Sequence, residues 1–508
     1  MTSVVKERPR NEVPYTLDEP APKVLSFWDQ GAFWANLGVS LFAFSGAYTV
    51  LAPGADGKPT LSIMAGIVAM IVGTAIGGLM LGLSAAPGAI TGQPAMVLLR
   101  GLFGARLSYV PTALNIAQLI GWGTFELIVI ADAARALWDG VPRWTYVIAA
   151  GVLTTVLTIW PLGSVRMLRR YVTAAVMIAL VYFYVQLVRE PLPDLTEGSW
   201  GGFWIGADAA LAVSISWVPV AADYTRHART ARGAFGAAAV GYSATQIIAY
   251  ILGLLALALV AGDSTKVFDP FLGVTLGVLF FAVFVLREAD QSFANVYSTA
   301  VSIQNLVPRA DRRVLSIALG ALITGLALLL NIGDYASFLS LIGSVFVPML
   351  GVLAVDFFLG QGRRSWAKPT WSPRGGRGES SPLKEQSRRS GAKTSSSAGG
   401  GRGGSSSREE QGRWDTSVSA PSRWGMIGAW AVGFVTYQLI NPGTVSWWAG
   451  FWHDVQEAIG FSTQSWMSAS LLSFLVAGLA AFLIGRVARG GGGRAAGRSE
   501  GKIDSSAA

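Results

Sequence analysis

The chain has 508 residues, of which 52% are hydrophobic and only 14% are charged, and it contains no cysteine. Its mean hydropathy is +0.47, and apolar blocks of about twenty residues, the length that spans a bilayer, recur along it. The composition excludes disulfides and thiolate metal sites. Because backbone polar groups in lipid must be paired within each segment, these apolar blocks predict an all-α polytopic membrane protein.

Residues 1–27 carry charges and prolines but no apolar core followed by a cleavage site, so we expect no removable signal peptide. We predict that this segment is a cytoplasmic tail and that about twelve transmembrane helices follow it. These predicted spans, numbered 1 to 12, are residues 28–53, 61–86, 107–138, 145–161, 170–189, 203–222, 234–261, 271–307, 314–332, 334–358, 424–441 and 466–486.

Arginine and lysine fall mainly in the loops on one side of these spans, whereas the opposite loops are acidic or sparsely charged. By the positive-inside rule, this asymmetry predicts that both termini are cytoplasmic. We expect a multi-pass protein of the plasma membrane, which in a bacterium is the inner membrane. The net charge of +9 follows largely from this topology, so no nucleic-acid partner is expected.

Spans 1 and 6 share a feature that suggests a repeat. The stretches NLGVSLFAFSGA in span 1 and AVSISWVPVAADYTR in span 6 place small residues and a proline in mid-membrane. Paired interruptions five spans apart are typical of inverted-repeat transporters, although small residues also serve ordinary helix packing. We predict a ten-helix core at 28–360, with repeats at 28–189 and 203–358.

The remainder of the chain is predicted to flank this core. Between 361 and 423 it is rich in Ser, Gly and Arg, which predicts a disordered basic cytoplasmic linker. Helices 11 and 12 lie within 424–486, and residues 487–508 form a second cytoplasmic tail.

Two aromatic positions and one carboxylate stand out in spans 3 and 6. Trp122 and Glu126 in span 3 are four residues apart and share a helix face. A carboxylate inside the membrane is costly and indicates function, unless it has a structural partner. In span 6, Trp217 precedes Pro219, which opens the helix backbone; the tryptophan is either an interfacial anchor or a platform for a ring.

Span 8 contains the polar stretch READQSFANVYS within a long apolar segment. Either the span ends near Leu286 and the stretch is cytoplasmic, or one long tilted helix carries the stretch into the bundle; composition does not decide. In the second case Arg287 lies one turn from Asp290 and can neutralise it. A polar stripe would then consist of Glu288, Gln291 and Asn295.

These stretches resemble the nucleobase:cation symporter-1 family, which includes cytosine permeases, purine-cytosine permeases, and hydantoin and allantoin transporters. The resemblance covers spans 1 to 10 and rests on TGQPAMVLLRGLFG, IGWGTFE, ADYTR and FANVYSTAVSIQNLVP. It implies the leucine-transporter type of five-plus-five inverted repeat with two further helices. It therefore favours the polar stretch of span 8 lying inside the bundle.

The resemblance also implies roles for individual residues. Trp122 and Trp217 match the family tryptophans that stack on opposite faces of the substrate ring, and Glu126 and Asn295 match positions that hydrogen-bond its edge. The predicted substrate site is completed by Ser40, Ser216 and Gln291.

The family's sodium site implies a further set of positions. Its backbone ligands match Gly38, Leu41 and Leu286, and its two hydroxyl ligands fall on Ala289 and Asp290, neither of which is Ser or Thr. Sodium remains possible, but we expect a proton to be the coupling cation, carried by Asp290 or Glu126.

We expect a monomeric secondary transporter, without a cofactor, that imports cytosine or an aminopurine. An ionised Glu126 only accepts hydrogen bonds and so suits a ring with an exocyclic amine. Uracil, allantoin, hydantoins and the pyrimidine precursor of thiamine are the alternatives. An intramembrane enzyme using Glu126 or Asp290 is a hypothesis of another class, but the spans contain neither His nor Cys, and no phosphate-binding GK[ST] motif occurs.

Overall fold

The computed structural model describes residues 13, 16–17, 20–53, 58–160, 162, 171–263, 266–330, 335–360, 362, 414–443 and 445–499. These residues form helices, joined by loops with two isolated bridges and no strands. The first half contains α1 Phe27–Leu37, α2 Leu41–Ser45, α3 Ala47–Val50, α4 Ile63–Thr91, α5 Ala95–Phe103, α6 Tyr109–Leu137, α7 Arg143–Ile159, α8 Thr173–Leu187, α9 Phe203–Ile215 and α10 Ala221–Thr225.

The second half continues the same all-helical pattern. It contains α11 Ala231–Gly236, α12 Ser243–Leu259, α13 Asp269–Leu272, α14 Gly277–Leu306, α15 Arg312–Leu329, α16 Tyr335–Phe358, α17 Trp424–Ile440, α18 Ser446–Ala458 and α19 Ala469–Ser499. Residues Ala237–Tyr242 join α11 to α12 as a π-helix.

Seven helical segments of the described chain are long and apolar enough to cross a membrane. They are Ile63–Thr91, Tyr109–Leu137, Phe203–Thr225, Ala231–Leu259, Arg312–Leu329, Phe338–Phe358 and Ala469–Val487. Shorter apolar helices occupy predicted spans 1, 4, 5 and 11, and α14 occupies span 8. The all-α membrane fold is thus confirmed, while the number of twelve crossings stays a prediction.

Span 1 is broken at mid-length. Helix α1 ends at Leu37, α2 begins at Leu41, and the hydroxyl of Ser40 accepts a hydrogen bond from Phe42 N at 3.0 Å, which caps α2. A Cβ on Gly38 would lie 2.2 Å from Thr245 Oγ1 and 2.4 Å from Tyr242 O. Only glycine therefore lets the break pack against the backbone of span 7.

Span 6 is interrupted at the corresponding place. Helix α9 ends at Ile215, a 3-10 turn follows at Val218–Val220, and α10 completes the span. Pro219 lies in this turn, where its missing N–H removes one helix hydrogen bond. Small residues bring span 2 close to this region, since a Cβ on Gly77 would lie 2.7 Å from Ser214 Cβ.

Span 8 is one continuous helix. Helix α14 has 30 residues and is therefore about 45 Å long at about 1.5 Å per residue. The polar stretch lies within it, with Arg287 and Glu288 fully buried and Leu286 70% exposed on another face. Of the two interpretations of span 8, the structure supports the single long helix.

The end of the predicted linker is folded. Trp414 is buried and donates to Leu98 O at 2.9 Å, and Arg423 pairs with Asp356 at 2.6 Å. Residues 414–423 thus pack on α5 and α16, whereas the prediction placed them in the linker. The rest of the linker lies outside the described residues. Helix α19 also continues to Ser499, past the predicted boundary at 486.

Candidate substrate and cation site

A cavity lies between the two interrupted spans. Its wall includes residues of both breaks and of α6, α12 and α14. All seven residues predicted to bind substrate line it, namely Ser40, Trp122, Glu126, Ser216, Trp217, Gln291 and Asn295. The structure therefore brings the predicted set together in one place, although the role of each residue remains a prediction.

The two tryptophans are held by other aromatic rings. Trp122 makes edge contacts with Phe42 and Phe338 at centroid distances of 5.7 and 5.3 Å. Trp217 contacts Trp34 at 6.4 Å and Tyr242 at 6.5 Å in the same manner. Both tryptophans are only 7% exposed, so neither is an interfacial anchor. Their rings are fixed surfaces on which a planar group can stack.

Glu126 is the most unusual polar group of the cavity. It is 1% exposed, and its Oε2 atom accepts no hydrogen bond from the described residues. Its carboxyl group contacts that of Glu288 on α14, side chain to side chain. Two carboxyl groups in contact cannot both be ionised at low cost, because the like charges repel; a proton or a cation between them relieves this repulsion.

Span 8 holds the break in span 1 with charged groups. Glu288 accepts from Ser40 Oγ at 2.6 Å and from Leu41 N at 3.0 Å, and thereby caps the start of α2. Arg287 pairs with Glu288 at 3.0 Å and donates to Asn36 O at the end of α1. An anion thus meets the positive end of one half-helix, and a cation meets the negative end of the other.

Gln291 completes this arrangement. Its amide nitrogen lies 3.1 Å from Leu37 O and 3.3 Å from Val39 O. Three carbonyl groups around the break, those of Asn36, Leu37 and Val39, therefore have donors from span 8. The break is held by side chains that lie 247 to 254 residues away in sequence.

The structure describes only some of the five residues implied for cation binding in positions that suit a cation ligand. Gly38 lines the cavity, and the N–H of Leu41 is occupied by Glu288. Ala289 is buried but offers no side-chain oxygen, and Leu286 turns its side chain outward. The side chain of Asp290 lies outside the described residues. The roles of Gly38, Leu41 and Leu286 concern backbone oxygens and remain predictions.

Several cavity residues were missed by sequence reasoning. Gln246 lines the cavity, accepts from Ser214 Oγ at 2.9 Å and donates to Ala210 O at 3.0 Å. Tyr242 and Tyr250 line it as well. Gln246 was detectable, because an amide in the apolar segment ATQIIAYILGLLALAL needs a partner within the bundle. Glu288 belonged to the predicted stripe but was assigned no role.

The chain is similar to known transporters both in sequence, through a family model, and in fold, through solved structures. A family model described as permease for cytosine/purines, uracil, thiamine, allantoin matches residues 32–377, more than half of the chain. A structure of Mhp1, a nucleobase-cation-symport-1 family transporter, closed and with bromovinylhydantoin bound, is similar with 17% identity, a TM-score of 0.65 and 94% coverage of both chains.

An inward-facing structure of Mhp1 is also similar, with 16% identity, a TM-score of 0.57, and coverage of 95% of this chain and 94% of that one. Comparison with curated proteins gave no match. The structural likeness establishes the fold, and the family model extends over most of the ten-helix core. The chain therefore belongs to the nucleobase:cation symporter-1 family of permeases.

Proposed function

We propose that this membrane transporter imports cytosine or an aminopurine together with a proton, with both termini in the cytoplasm and a single chain as the working unit. The observation that carries the proposal is Glu126, whose buried Oε2 faces no donor in the described part of the chain. A ring with an exocyclic amine supplies that donor.

Recognition of the ring combines stacking with edge contacts. Trp122 and Trp217 line the cavity from different spans, and stacking of a base on an aromatic side chain contributes about 1 to 3 kcal/mol. Asn295 lines the cavity beside them and offers both a donor and an acceptor. A planar heterocycle with neighbouring donor and acceptor groups satisfies this set.

The charge balance of the site supports a proton as the coupling cation. Glu126 and Glu288 contact each other, and Arg287 supplies one positive charge beside them. Among the described side chains of the site, one carboxylate is therefore balanced and the second is not. A proton on Glu126 neutralises the site and provides the donor between the two carboxyl groups. At Ala289 there is no hydroxyl oxygen for sodium.

The proposed transport cycle depends on the different stabilities of the protonated and the deprotonated site. With proton and substrate bound, the central site is neutral, and the buried groups are paired. Release of the proton leaves two carboxylates against one guanidinium, an unfavourable state in a dry interior. The empty carrier is therefore driven to reprotonate before it binds substrate again.

Uptake of labelled cytosine into proteoliposomes tests this proposal, with sodium and pH gradients imposed separately. We expect uptake driven by an acidic exterior without sodium, and competition by adenine. Glu126→Gln keeps the size of the side chain but cannot exchange a proton, so it should abolish accumulation. Sodium-driven uptake that ignores the pH gradient would contradict proton coupling. Competition by hydantoins but by no nucleobase would contradict the substrate class.

A further inference from the structure

A second, smaller cavity lies at the end of the bundle that is predicted to face the cytoplasm. It is lined by the apolar residues Val13, Leu25, Phe33 and Leu162 and by four polar residues, Asp223, Tyr224, His227 and Tyr297. The polar residues come from the ADYTRH segment that closes span 6 and from α14. None of them belongs to the predicted substrate site.

His227 presents an acceptor to this cavity. The side chain is 1% exposed, and its Nδ1 lies 3.0 Å from Pro22 O. Because a carbonyl oxygen only accepts, Nδ1 carries the proton, and Nε2 of the neutral ring is an acceptor. Nε2 is buried and has no hydrogen-bond partner among the described residues.

Asp223 presents a second acceptor. Its Oδ1 accepts from Ala95 N at 2.8 Å, at the start of α5. Its Oδ2 is buried and makes no hydrogen bond within the described chain, although the hydroxyl of Ser298 approaches the carboxyl group. A single molecule that donates to both can satisfy two buried acceptors that line one cavity, and water is the smallest such molecule.

The tyrosines of this cavity do not supply the missing donors. Tyr224 donates to Ala294 O at 2.9 Å, and Tyr297 is aimed at Asp223 O at 3.5 Å. Tyr224 also accepts from Ser298 Oγ at 3.2 Å. Ser298 lies one helical turn after Asn295, which lines the substrate cavity. Ser298 therefore places a hydroxyl group one helical turn from a residue of the substrate cavity, and this hydroxyl donates to Tyr224 of the second cavity.

We propose that this second cavity is the proton-release site of the transporter, with a water molecule bridging Asp223 Oδ2 and His227 Nε2. The inference rests on the proposed proton coupling. A proton that leaves the substrate cavity binds Asp223 Oδ2. The O–H bond of Asp223 then breaks as its proton passes to the water, and the water gives one of its own protons to His227 Nε2. Loss of a proton from the imidazolium to the aqueous side restores the neutral ring.

The charged groups around His227 favour release of a proton from its ring. Burial, followed by the positive charge of Arg226 and those of Lys23 and Arg312, holds the pKa of His227 well below its usual range. Burial and Arg226 also lower the pKa of Lys23 to about 8, and its amine donates to Ala89 O at 2.6 Å. The protonated form of His227 is therefore disfavoured, and the ring does not retain the proton.

Two substitutions remove one acceptor each while keeping the local hydrogen bonds. His227→Asn retains an amide that reaches Pro22 O in place of Nδ1 but lacks Nε2. Asp223→Asn retains Oδ1 for the cap of α5 but cannot take up a proton. Asp356→Asn is the matched control, because it removes a buried carboxylate that pairs with Arg423 and does not line this cavity.

Each variant is reconstituted in proteoliposomes and assayed in two ways. Exchange of labelled for unlabelled cytosine at equal pH needs no net proton release, whereas cytosine-driven proton influx does. We expect His227→Asn and Asp223→Asn to slow the influx about tenfold or more and to change exchange about twofold at most. The control should change both rates in parallel.

The outcomes separate the two proposals. Proton influx at the wild-type rate in both variants overturns the release site alone. Exchange and influx that fall together in both variants also overturn it, since that pattern indicates a structural role. A wild-type protein that moves cytosine without protons contradicts the proposed function itself.

Discussion

The interrupted helices of spans 1 and 6 face the same cavity but are stabilised differently. At the span 1 break, α14 supplies an ion pair and an amide, which engage Asn36, Leu37, Val39, Ser40 and Leu41. At the span 6 break, the contacts are neutral: Ser84 Oγ donates to Val218 O at 2.5 Å, and Ser216 Oγ donates to Val213 O at 2.7 Å.

The contrast between charged and neutral contacts suggests that the two breaks have different functions. Charged groups in a dry interior are costly unless they are paired, and they are sensitive to any change of protonation beside them. We therefore expect the span 1 break to respond to the charge of Glu126, which contacts Glu288. The span 6 break contains no charged side chain among the contacts described above, and its Trp217 lines the cavity. We infer that the first break senses the cation and the second supports the ring.

The largest effect is expected from removing the cation of the span 1 break. Arg287→Met leaves Glu288 buried without its partner, and such losses destabilise proteins by about 3 to 5 kcal/mol. We expect a lower midpoint of thermal unfolding in detergent. The double variant Arg287→Met, Glu288→Gln should recover part of the loss, because no unpaired charge then remains at this pair.

Two results would argue against this account of the break. A single variant as stable as the wild type would mean that the pair does not hold the two half-helices. Arg287→Lys is the conservative comparison: it keeps the charge but loses the planar donor set that reaches both Glu288 and Asn36. It should lie between the wild type and Arg287→Met.

A smaller effect, on binding and not on stability, is expected at the tryptophans. Trp122→Ala and Trp217→Ala should each weaken cytosine binding by about 1 to 3 kcal/mol, the contribution of one stacking contact. Equilibrium binding to the purified protein measures this. Trp430 is a buried tryptophan outside the cavity that donates to Val345 O, so Trp430→Ala should spare affinity in the folded fraction. Equal losses of cytosine affinity in all three variants would show that Trp122 and Trp217 do not stack on the substrate.

The smallest effect is expected at the neutral break. Ser84→Ala removes the donor to Val218 O, and one such hydrogen bond contributes about 1 kcal/mol. We expect a slight fall in the unfolding midpoint and an unchanged cation dependence of uptake. If Ser84→Ala proved as damaging as Arg287→Met, the contrast between the two breaks would be wrong.

Much of this architecture was predictable from the sequence because lipid imposes simple rules. Long apolar blocks become helices, and small residues with Pro219 mark the interruptions. The pairing of the polar residues was not predictable in the same way. Sequence spacing indicates Asp290, whose side chain lies outside the described residues, as a partner of Arg287. It does not indicate the pairing of Arg287 with Glu288 or with Asn36 O, which lies 251 residues away.

The same limitation applies to the end of the bundle predicted to be cytoplasmic. His227 lies in a polar connection between spans, as its sequence context predicts, yet it is 1% exposed. Its burial results from the segment before span 1 folding back, with Leu25 N bonded to His227 O at 3.0 Å. Trp414 likewise is buried only because it reaches Leu98 across the described core. Contacts between distant segments decide such burial, and local composition does not reveal them.

The most direct test of proton coupling is the proton flux that accompanies transport. Proteoliposomes that contain a trapped pH indicator are prepared in buffer free of sodium, and cytosine is added outside. We predict immediate internal acidification by the wild-type protein and none by Glu126→Gln. Cytosine uptake that requires sodium and leaves the internal pH unchanged would contradict the account.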